Sequence, residues 1–211
     1  MSRLVDPHLV PATGEHRGVL VWRWGTPVSV LSSAPVGGGP GVAEWVLNIG
    51  VRSDYDRTDL SDHADEVAAE LDLRGTGVAM FTAVDLSRRQ RSTAVGVVVD
   101  ATVGISHPTW AAGTPATETP AAGGTINLVV QLPVALDPGA AVNAVITATE
   151  AKAQALANRG IPGTGTATDA VTIVWPAKAA AERFAGPRSP WGSRIAQAVY
   201  QAVRAGAERR S

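Results

Sequence analysis

The sequence contains no cysteine, and this absence removes several kinds of chemistry at once. Without cysteine there is no disulfide bond, no thiolate nucleophile and no thiolate ligand for a metal ion. Histidine is scarce as well, with four residues, so we expect no metal site. The lack of cysteine fits a reducing compartment, and segment 1–16 lacks the apolar core of a signal peptide, which together predict a cytoplasmic protein.

Long apolar runs and an excess of basic charge are also missing. No run approaches the roughly 18 apolar residues that a transmembrane helix needs, so no membrane partner is expected. The formal net charge of −1 argues against a nucleic-acid partner, because such domains need a positive surface. The chain has 211 residues, of which 45% are hydrophobic and 18% charged. This composition predicts one globular domain over 1–211, with a loosely ordered segment 1–16.

The short motifs that announce common enzymes are absent. There is no Gly-x-Ser-x-Gly nucleophile motif, no Walker phosphate-binding loop and no His-Glu-x-x-His zinc motif. Paired carboxylates at a recognisable spacing are missing too. The chemistry therefore has to be sought in polar residues that stand among apolar ones.

The order of the predicted elements favours an α+β fold. Most strands precede one long helix, whereas a parallel α/β sheet would alternate strands and helices. Asp137-Pro138 and Ser189-Pro190 each combine a capping residue with a first-turn proline, and Gly160 ends the long helix. We expect helices packed on a mostly antiparallel or mixed sheet, with a two-sheet αββα sandwich as the alternative. The predicted strands are 18–24, 28–31, 43–51, 77–82, 94–104, 125–132 and 170–175, and the helices begin near 61, 138 and 190.

Two irregular stretches interrupt this pattern. Residues 32–41 are rich in serine, proline and glycine, which predicts a loop whose backbone a ligand can approach closely. Residues 107–123 are rich in proline, threonine, alanine and glycine, which predicts a flap or an insertion. Trp110 lies in the second stretch, outside any periodic element, and is therefore the tryptophan best suited to stacking on a planar ligand.

The middle of the long helix carries more polar residues than its apolar surroundings explain. Thr149 and Lys152 are three residues apart and share a helix face, and Glu150 lies between them in sequence. One interpretation is a solvent-exposed face on which the threonine hydroxyl bonds back to the helix. The other is a charged group that points into a pocket on the flank of the helix.

Hydroxyl and amide side chains recur at the entry to two strands. In segment 163–169, threonines alternate with small residues ahead of Asp169. A glycine-rich backbone of this kind can surround an anion or a set of amides, and a plain turn is the alternative. Further upstream, Thr125 and Asn127 lie on one face of a strand. These residues predict a polar, hydroxyl-rich cleft without a metal.

In these same segments the chain resembles the adenosylcobinamide amidohydrolase family. The matching motifs follow in the family's order over most of the chain, and Thr149-Glu150-Ala151-Lys152 and Thr168-Asp169 are the most specific of them. A second resemblance implies the αββα fold: Gly124-Thr125-Ile126-Asn127, the long helix and the Thr-Asp strand are similar to the self-processing aminopeptidase and ornithine acetyltransferase group. The other segments that match the first family are 31–34 with the glycines that follow, 48–51, 77–83, 102–106, 167–170, 184–186 and the C-terminal helix.

The family resemblance implies a reaction, a partner and a set of binding residues. The reaction would split the amide that joins a cobyric acid side chain to (R)-1-aminopropan-2-ol, in cobalamin salvage. The partner would be adenosylcobinamide or a related corrinoid, whose cobalt enters with the substrate, so no cofactor is expected; a homo-oligomer is left open. A corrinoid is fringed with carboxamides, which suit hydroxyl and amide partners better than strong charge. The expected substrate-binding residues are Ser32, Ser33, Gly38, Asn48, Thr82, Ser106, Trp110, Thr125, Thr149, Thr166 and Thr168.

Amide hydrolysis needs a nucleophile, a base, and hydrogen-bond donors for the oxyanion. We expect water to be the nucleophile, activated by Glu150 or Asp169. Asn127 and backbone N–H groups of the glycine-rich loops would hold the oxyanion. Lys152 would tune the neighbouring carboxylate or protonate the leaving amine.

Three alternatives stay open at this stage. Thr149 could be the nucleophile with Lys152 as its base, because Thr-x-x-Lys copies the spacing of Ser-x-x-Lys acyl enzymes. The chain could be a corrinoid-binding or carrier protein without turnover. It could also be an amidohydrolase or acyltransferase for a different substrate.

Overall fold

The computed structural model describes residues 4–13, 16–113, 124–177 and 180–208. These residues form three α-helices and ten β-strands. The helices are α1 (Leu60–Glu70), α2 (Pro138–Ala157) and α3 (Pro190–Glu208). The strands are β1 (His8–Val10), β2 (Val19–Ser32), β3 (Gly39–Gly50), β4 (Gly77–Thr82), β5 (Gln90–Ala94), β6 (Val97–Val103), β7 (Ile126–Gln131), β8 (Ala135–Leu136), β9 (Ala170–Pro176) and β10 (Ala181–Glu182).

Eight of these strands form one mixed sheet. Its order is β4-β3-β2-β9-β7-β6-β5, and β1 pairs with the start of β2. The pairs β3–β4 and β7–β9 are parallel, whereas the other pairs in this sheet are antiparallel. β8 and β10 make a separate two-stranded pair. The mixed sheet and the three helices confirm the α+β prediction.

The large sheet folds back on itself near the middle of β2. The register of the β2–β3 pair shifts between Arg23 and Val28, a stretch that contains Pro27, which cannot donate a ladder hydrogen bond. As a result, side chains of β2 reach strands that are not their neighbours in the ladder. Trp22 Nε1, for example, donates to Asp100 Oδ2 of β6 at 3.1 Å. One hydrogen-bonded sheet thus provides two facing layers.

Helices cover the outer face of each layer. Ala64 and Val67 of α1 share a buried apolar cluster with Leu47 and Ile49 of β3. Helices α2 and α3 pack on the other layer, which contains β5, β6, β7 and β9. A third apolar cluster lies between the layers and includes Met80 of β4. The resulting layer order is the αββα sandwich that was the alternative prediction, built here from a single bent sheet.

The N-terminal segment 1–16 is more firmly held than predicted, over the part of it that the structure describes. Besides the pairing of β1, Val5 donates its N–H to Gln131 Oε1 and accepts from Gln131 Nε2, both at 2.9 Å. Arg91 donates to the Val5 carbonyl and to the buried carboxylate of Asp100. Desolvation raises the pKa of the Asp100 carboxyl, and the neighbouring guanidinium groups oppose that shift.

Two strand predictions are corrected by the structure. The segment 32–41 is not a loop throughout, because β3 already begins at Gly39 and pairs there with the end of β2. The predicted strand 94–104 begins too early, because Val95-Gly96, with positive φ at both residues, form the hairpin turn between β5 and β6. Hydrophobicity alone does not show a two-residue turn inside a valine-rich run.

The sequence predicts that Val142, Val145 and Leu156 of the long helix are buried and that Asp137 caps it, and the structure bears out only part of this. Leu156 is fully buried as expected and Val145 is partly buried, but Val142 is 53% exposed. Asp137 precedes the helix in an extended conformation, yet its side chain makes no capping hydrogen bond. The face that meets the sheet is lined by small residues, which allow a close approach of helix and strands. They are Ala140, Ala141, Ala144, Ala148, Ala151 and Ala155.

Two further properties concern the described part of the chain. In it, no helix combines the length and the apolar character that crossing a membrane requires. The same residues contain no group of three or more histidine, aspartate and glutamate side chains placed to hold a metal ion.

Candidate functional site

The starts of β7 and β9 bring the two predicted hydroxyl-rich segments together. The strands are parallel neighbours, with Asn127 opposite Ala170, so their first residues lie at the same edge of the sheet. Just before these strands, Thr125 Oγ1 and Thr168 Oγ1 are 2.7 Å apart and share a hydrogen bond. Thr168 is exposed, whereas Thr125 is buried. This edge of the sandwich is the candidate site.

Asp169 organises the edge by accepting four hydrogen bonds. Its Oδ1 accepts from the backbone N–H of Ile126 at 2.9 Å and from Thr166 Oγ1 at 2.5 Å. Its Oδ2 accepts from the backbone N–H of Thr166 at 3.1 Å and from Lys152 Nζ. Four donors, one of them charged, fix the orientation of the carboxylate. The carboxylate thus joins the start of β7, the loop before β9 and helix α2.

Lys152 reaches this carboxylate from α2. Lys152 is one of the buried residues of this helix, and its Nζ donates to Asp169, which directly precedes β9. The side chains of Lys152 and Asp169 are 8% and 9% exposed, so the ion pair is largely desolvated. Asp169 takes one of the three ammonium N–H groups, and no other acceptor for this ammonium lies among the described residues. Two charged donors remain available for a ligand.

Gly165 leaves the space that the ion pair occupies. A Cβ at this position would collide with both Asp169 Oδ2 and Lys152 Nζ, the two atoms that form the pair. The backbone φ of Gly165 lies outside the left-handed region, so an alanine would be excluded by the side chains and not by its own backbone. Glycine at this position therefore allows the pair to keep its place.

We expect Gly165→Ala to lower any activity of this site by about tenfold or more, because a shift of about 1 Å in a catalytic group has large effects. Gly139→Ala in α2 is the matched control, since no neighbouring atom of the described residues lies within 4 Å of the position that the new methyl group would take. Steady-state turnover and thermal unfolding should be measured for both. Equal turnover in the two variants would show that the position of the pair does not matter.

A chain of buried polar side chains connects the two sheet layers behind this edge. Asn48 Nδ2 of β3 donates to Thr102 Oγ1 of β6, and Asn48 Oδ1 accepts from Asn127 Nδ2 of β7, each at 2.9 Å. Asn127 Nδ2 also donates to the backbone carbonyl of Phe81 at 3.0 Å. Both N–H bonds of the Asn127 amide are therefore used within the protein. In this arrangement Asn127 has no donor left for an oxyanion, which corrects the role that we predicted for it.

Glu150 and Thr149 are not brought to the edge. Both are exposed, and Glu150 is two residues from Lys152, which turns it about 200° around the helix axis. Thr149 Oγ1 donates to the Val145 carbonyl at 2.9 Å, the back-bonding that was one of the two sequence interpretations. The prediction that Glu150 lines one cleft with Asp169 and Asn127 is thus corrected: the structure places only the last two at the start of β7 and β9.

Three predicted binding residues lie in or next to the loop between β2 and β3. Ser32 is buried, and its hydroxyl pairs with Thr172 Oγ1 at 2.7 Å between the layers. Ser33 is exposed, and its Oγ accepts from the Val171 N–H on β9, two residues from Asp169. Gly38 is exposed and packs against the Ala34 carbonyl. Of the three, Ser33 has a direct link to the strand that carries the candidate site.

The remaining predicted binding residues surround the edge. Thr82 is buried at the end of β4, where its hydroxyl accepts from the Val84 N–H at 3.2 Å. Ser106 is exposed beside Gly124, which precedes the buried Thr125. The Ser106–Gly124 contact and the hydrogen bond from Asn127 to the Phe81 carbonyl place the segment after β6 and the end of β4 next to the start of β7.

Trp110 belongs to a segment that docks on the glycine- and threonine-rich loop. Thr109 donates its N–H to the Gly165 carbonyl at 2.8 Å and accepts from the Thr164 N–H at 2.9 Å. Trp110 itself is 57% exposed, so its ring is free to meet a large ligand. Of the predicted flap 107–123, residues 114–123 lie outside those that the structure describes.

Sequence reasoning overlooked two groups of this site. Thr102 matched the family motif, but its role as the acceptor for Asn48 was not predicted. The Phe81 carbonyl is a backbone group and leaves no signal in the sequence. For Thr102 a signal did exist, because it and Asp100 are polar residues at alternate positions of a strand that is otherwise apolar.

The fold and the site together define an α+β protein of αββα architecture with a polar edge built from a buried ion pair, hydroxyls and amides. A family model described as adenosylcobinamide amidohydrolase matches residues 5–211. The adenosylcobinamide amidohydrolase of Methanosarcina mazei is 27% identical over 187 residues, which cover 84% of this chain and 90% of that protein. The adenosylcobinamide amidohydrolase of Halobacterium salinarum is 37% identical over 120 residues, which cover 54% of this chain and 51% of that protein.

The chain belongs to the adenosylcobinamide amidohydrolase family, because the family match extends over almost its whole length. It is thus an amide hydrolase by family, as the resemblance in its motifs implied. The match includes the segments that carry Lys152, Asp169 and Asn127.

Proposed function

We propose that this protein hydrolyses adenosylcobinamide to adenosylcobyric acid and (R)-1-aminopropan-2-ol, in the cytoplasm and as a step of cobalamin salvage. The family match supports the reaction class. The observation that carries the proposal in the structure is the buried Lys152–Asp169 pair, which has spare charged donors at an edge lined with hydroxyls. Amide hydrolysis without a thiol requires such donors at the carbonyl oxygen and at the leaving nitrogen.

The chemistry of the edge suits a corrinoid. A corrinoid presents many carboxamides, each with a carbonyl acceptor and N–H donors, and hydroxyl groups can serve either. Thr166 and Thr168 lie on the same loop as Asp169, and Ser33 and Trp110 lie on the two segments that flank it. In this proposal the cobalt arrives with the substrate, and the protein supplies hydrogen bonds and one charged group, the Lys152 ammonium.

We assign the chemical roles from the hydrogen bonds of the pair. Lys152 donates to the carbonyl oxygen of the scissile amide, where negative charge develops, and it is also the source of a proton for the departing amine. Asp169 holds the ammonium in place. Its own lone pairs are directed at four donors, so we infer that it positions Lys152 and is a weak base toward water. Water is the nucleophile, since the Thr149 hydroxyl is bonded to its own helix. As the carbon–oxygen bond forms and the carbon–nitrogen bond breaks, Lys152 gives a proton to the amine, and the proton that the new carboxyl group releases returns to Lys152.

Incubation with adenosylcobinamide, followed by mass spectrometry, tests the proposal. We expect a mass loss that corresponds to replacement of the aminopropanol amide by a carboxylate, without added metal and in the presence of EDTA. Full inhibition by EDTA that zinc reverses would contradict the metal-free mechanism. Tight binding without any mass change would instead identify a corrinoid carrier. Hydrolysis of other amides but not of adenosylcobinamide would show that the substrate is a different amide.

A further inference from the structure

The side-chain oxygen of Asn127 is a buried acceptor that nothing satisfies among the described residues. The residue is 2% exposed, and no donor in that part of the chain reaches its Oδ1. A buried polar atom without a partner is costly and rare in folded proteins, so it calls for an explanation such as a ligand. Asn127 directly follows Ile126, whose backbone N–H is bonded to Asp169. The unsatisfied acceptor therefore belongs to the strand start that forms the candidate site.

The neighbours of Asn127 determine which of its two terminal side-chain atoms is the nitrogen Nδ2 and which is the oxygen Oδ1. The carbonyl of Phe81 can only accept, so the atom that faces it at 3.0 Å has to be Nδ2. The same Nδ2 donates to Asn48 Oδ1, which directs Asn48 Nδ2 to Thr102 Oγ1. A reversed Asn127 amide would set its oxygen against two other oxygens. Its Oδ1 is therefore held as an acceptor by the whole chain of contacts.

We propose that Asn127 Oδ1 accepts a hydrogen bond from the N–H of the amide that is cleaved, and that Asn48 and Thr102 are positioning residues for it. This inference rests on the proposed hydrolysis. A secondary carboxamide presents one N–H donor and one carbonyl acceptor on opposite sides. Lys152 supplies donors and Asn127 supplies an acceptor, and each complements one side of that group.

The route for a ligand runs along the strand face that carries Asn127. Thr125 is two residues away on the same face of the strand, and its hydroxyl meets the exposed Thr168. An amide nitrogen that enters between these hydroxyls would have to move along the strand from Thr125 to Asn127, two residues further, to reach Oδ1. Separation of this hydroxyl pair is the movement that binding requires.

The proposed acceptor distinguishes substrate from product. Adenosylcobinamide carries the N–H, whereas adenosylcobyric acid carries a carboxylate at the same place and has no donor there. A carboxylate oxygen against Oδ1 would be repelled, because both atoms are acceptors. Asn127 therefore favours the amide over the acid, and it also promotes release of the acid after hydrolysis.

Four variants test the assignment. Asn127→Ala removes the acceptor, Thr102→Val removes the last contact of the positioning chain at nearly constant volume, and Thr102→Ser restores the hydroxyl. Thr147→Val is the matched control, because Thr147 of α2 is equally buried but donates its hydrogen bond to the Ala185 carbonyl. For each, we would measure kcat and KM with adenosylcobinamide, the inhibition constant of adenosylcobyric acid, and the thermal unfolding midpoint.

We expect Asn127→Ala and Thr102→Val to lower kcat/KM by about tenfold or more, the effect of one lost hydrogen bond. The inhibition constant of adenosylcobyric acid should stay the same or fall. Thr102→Ser and Thr147→Val should keep kcat/KM within about threefold. A parallel loss of affinity for substrate and product would overturn the assignment, and so would wild-type kinetics in Asn127→Ala. The first of these results would indicate that Oδ1 holds a structural water.

Equilibrium titration separates this inference from the proposed function. If the wild-type protein does not hydrolyse adenosylcobinamide, the proposed hydrolysis is wrong, and both corrinoids can then be titrated directly. The wild-type protein should bind adenosylcobinamide more tightly than adenosylcobyric acid, and Asn127→Ala should lose that preference. Equal affinities in the wild-type protein, or no binding of either corrinoid, would overturn the acceptor role as well.

Discussion

Replacing Asp169 with asparagine should lower turnover of adenosylcobinamide by about a hundredfold or more, because Lys152, the proton donor that Asp169 positions, would lose its partner. It should also destabilise the fold by about 3–5 kcal/mol, because a buried lysine would lose its counter-charge. The asparagine fits the space, but its NH2 group cannot accept a hydrogen bond. At least one of the four donors that face Asp169 would then meet an N–H group. Steady-state kinetics and denaturant unfolding measure the two effects.

A double variant separates the structural part of this effect from the chemical part. Lys152→Met removes the other charge, and Lys152→Met with Asp169→Asn removes both. Because a buried pair is most costly when one partner is missing, the double variant should recover much of the stability. It should not recover turnover if Lys152 acts on the substrate. Recovery of both stability and turnover would show that the ion pair only holds the fold together.

The sequence predicted the identity of these residues better than their arrangement. Lys152 and Asp169 stood out because charges interrupted apolar or glycine-rich surroundings, and both lie in the ion pair. Glu150 was selected by the same criterion and lies on the opposite side of the helix. Two residues correspond to about 200° of rotation, so only the face that meets the sheet decides which side chain points inward. When a helix is rich in alanine, its sequence does not indicate which face is buried against the sheet.

The second layer of the site depends on a bend that local sequence signals do not reveal. Pro27 predicted a break between two short strands, whereas the structure has one long strand with a bulge. The bend carries Asn48 across to Thr102 and Asn127, 54 and 79 residues away in the sequence. Contacts of such separation follow from the topology of the whole sheet. The individual polar residues were visible in the sequence, but the chain of hydrogen bonds that they form was not.

Val142, Val145 and Leu156 were predicted to be buried in α2, and Val142 is the one of them that is exposed. Val142 and Ile146 are the bulkier residues of the first half of the helix, and both are largely exposed. The buried positions in that half are mainly alanines, together with Thr147. A helix that lies close to a sheet has room for small side chains only along the line of contact. Toward its C-terminal end the helix buries Leu156, where α3 and the loop before β9 contribute to the same cluster.

Replacing Leu156 with alanine should destabilise the protein by about 2–5 kcal/mol, the range for removing a buried leucine from a packed core. Leu156 is fully buried in the cluster that joins α2, α3 and the sheet. The chain leaves α2 here toward the loop that carries Asp169, since the Ile161 N–H donates to the Leu156 carbonyl at 3.1 Å. Val142→Ala on the same helix is the matched control and should change stability by about 0.5 kcal/mol or less, because its side chain is 53% exposed.

The pair of variants tests which face of the helix is buried. Both replacements introduce alanine, the best helix former, so a loss of stability in either variant cannot come from helix propensity. Denaturant unfolding at one temperature gives both free energies on the same scale. Similar small losses in the two variants would mean that Leu156 is not in the core, and a large loss for Val142→Ala would mean that the exposed face is covered in solution. With Leu156 buried, the cavity left by its removal lies four residues from Lys152, one turn along the same face of α2. Turnover should then fall together with stability in Leu156→Ala and stay unchanged in Val142→Ala, because only the first substitution loosens the support of the ion pair.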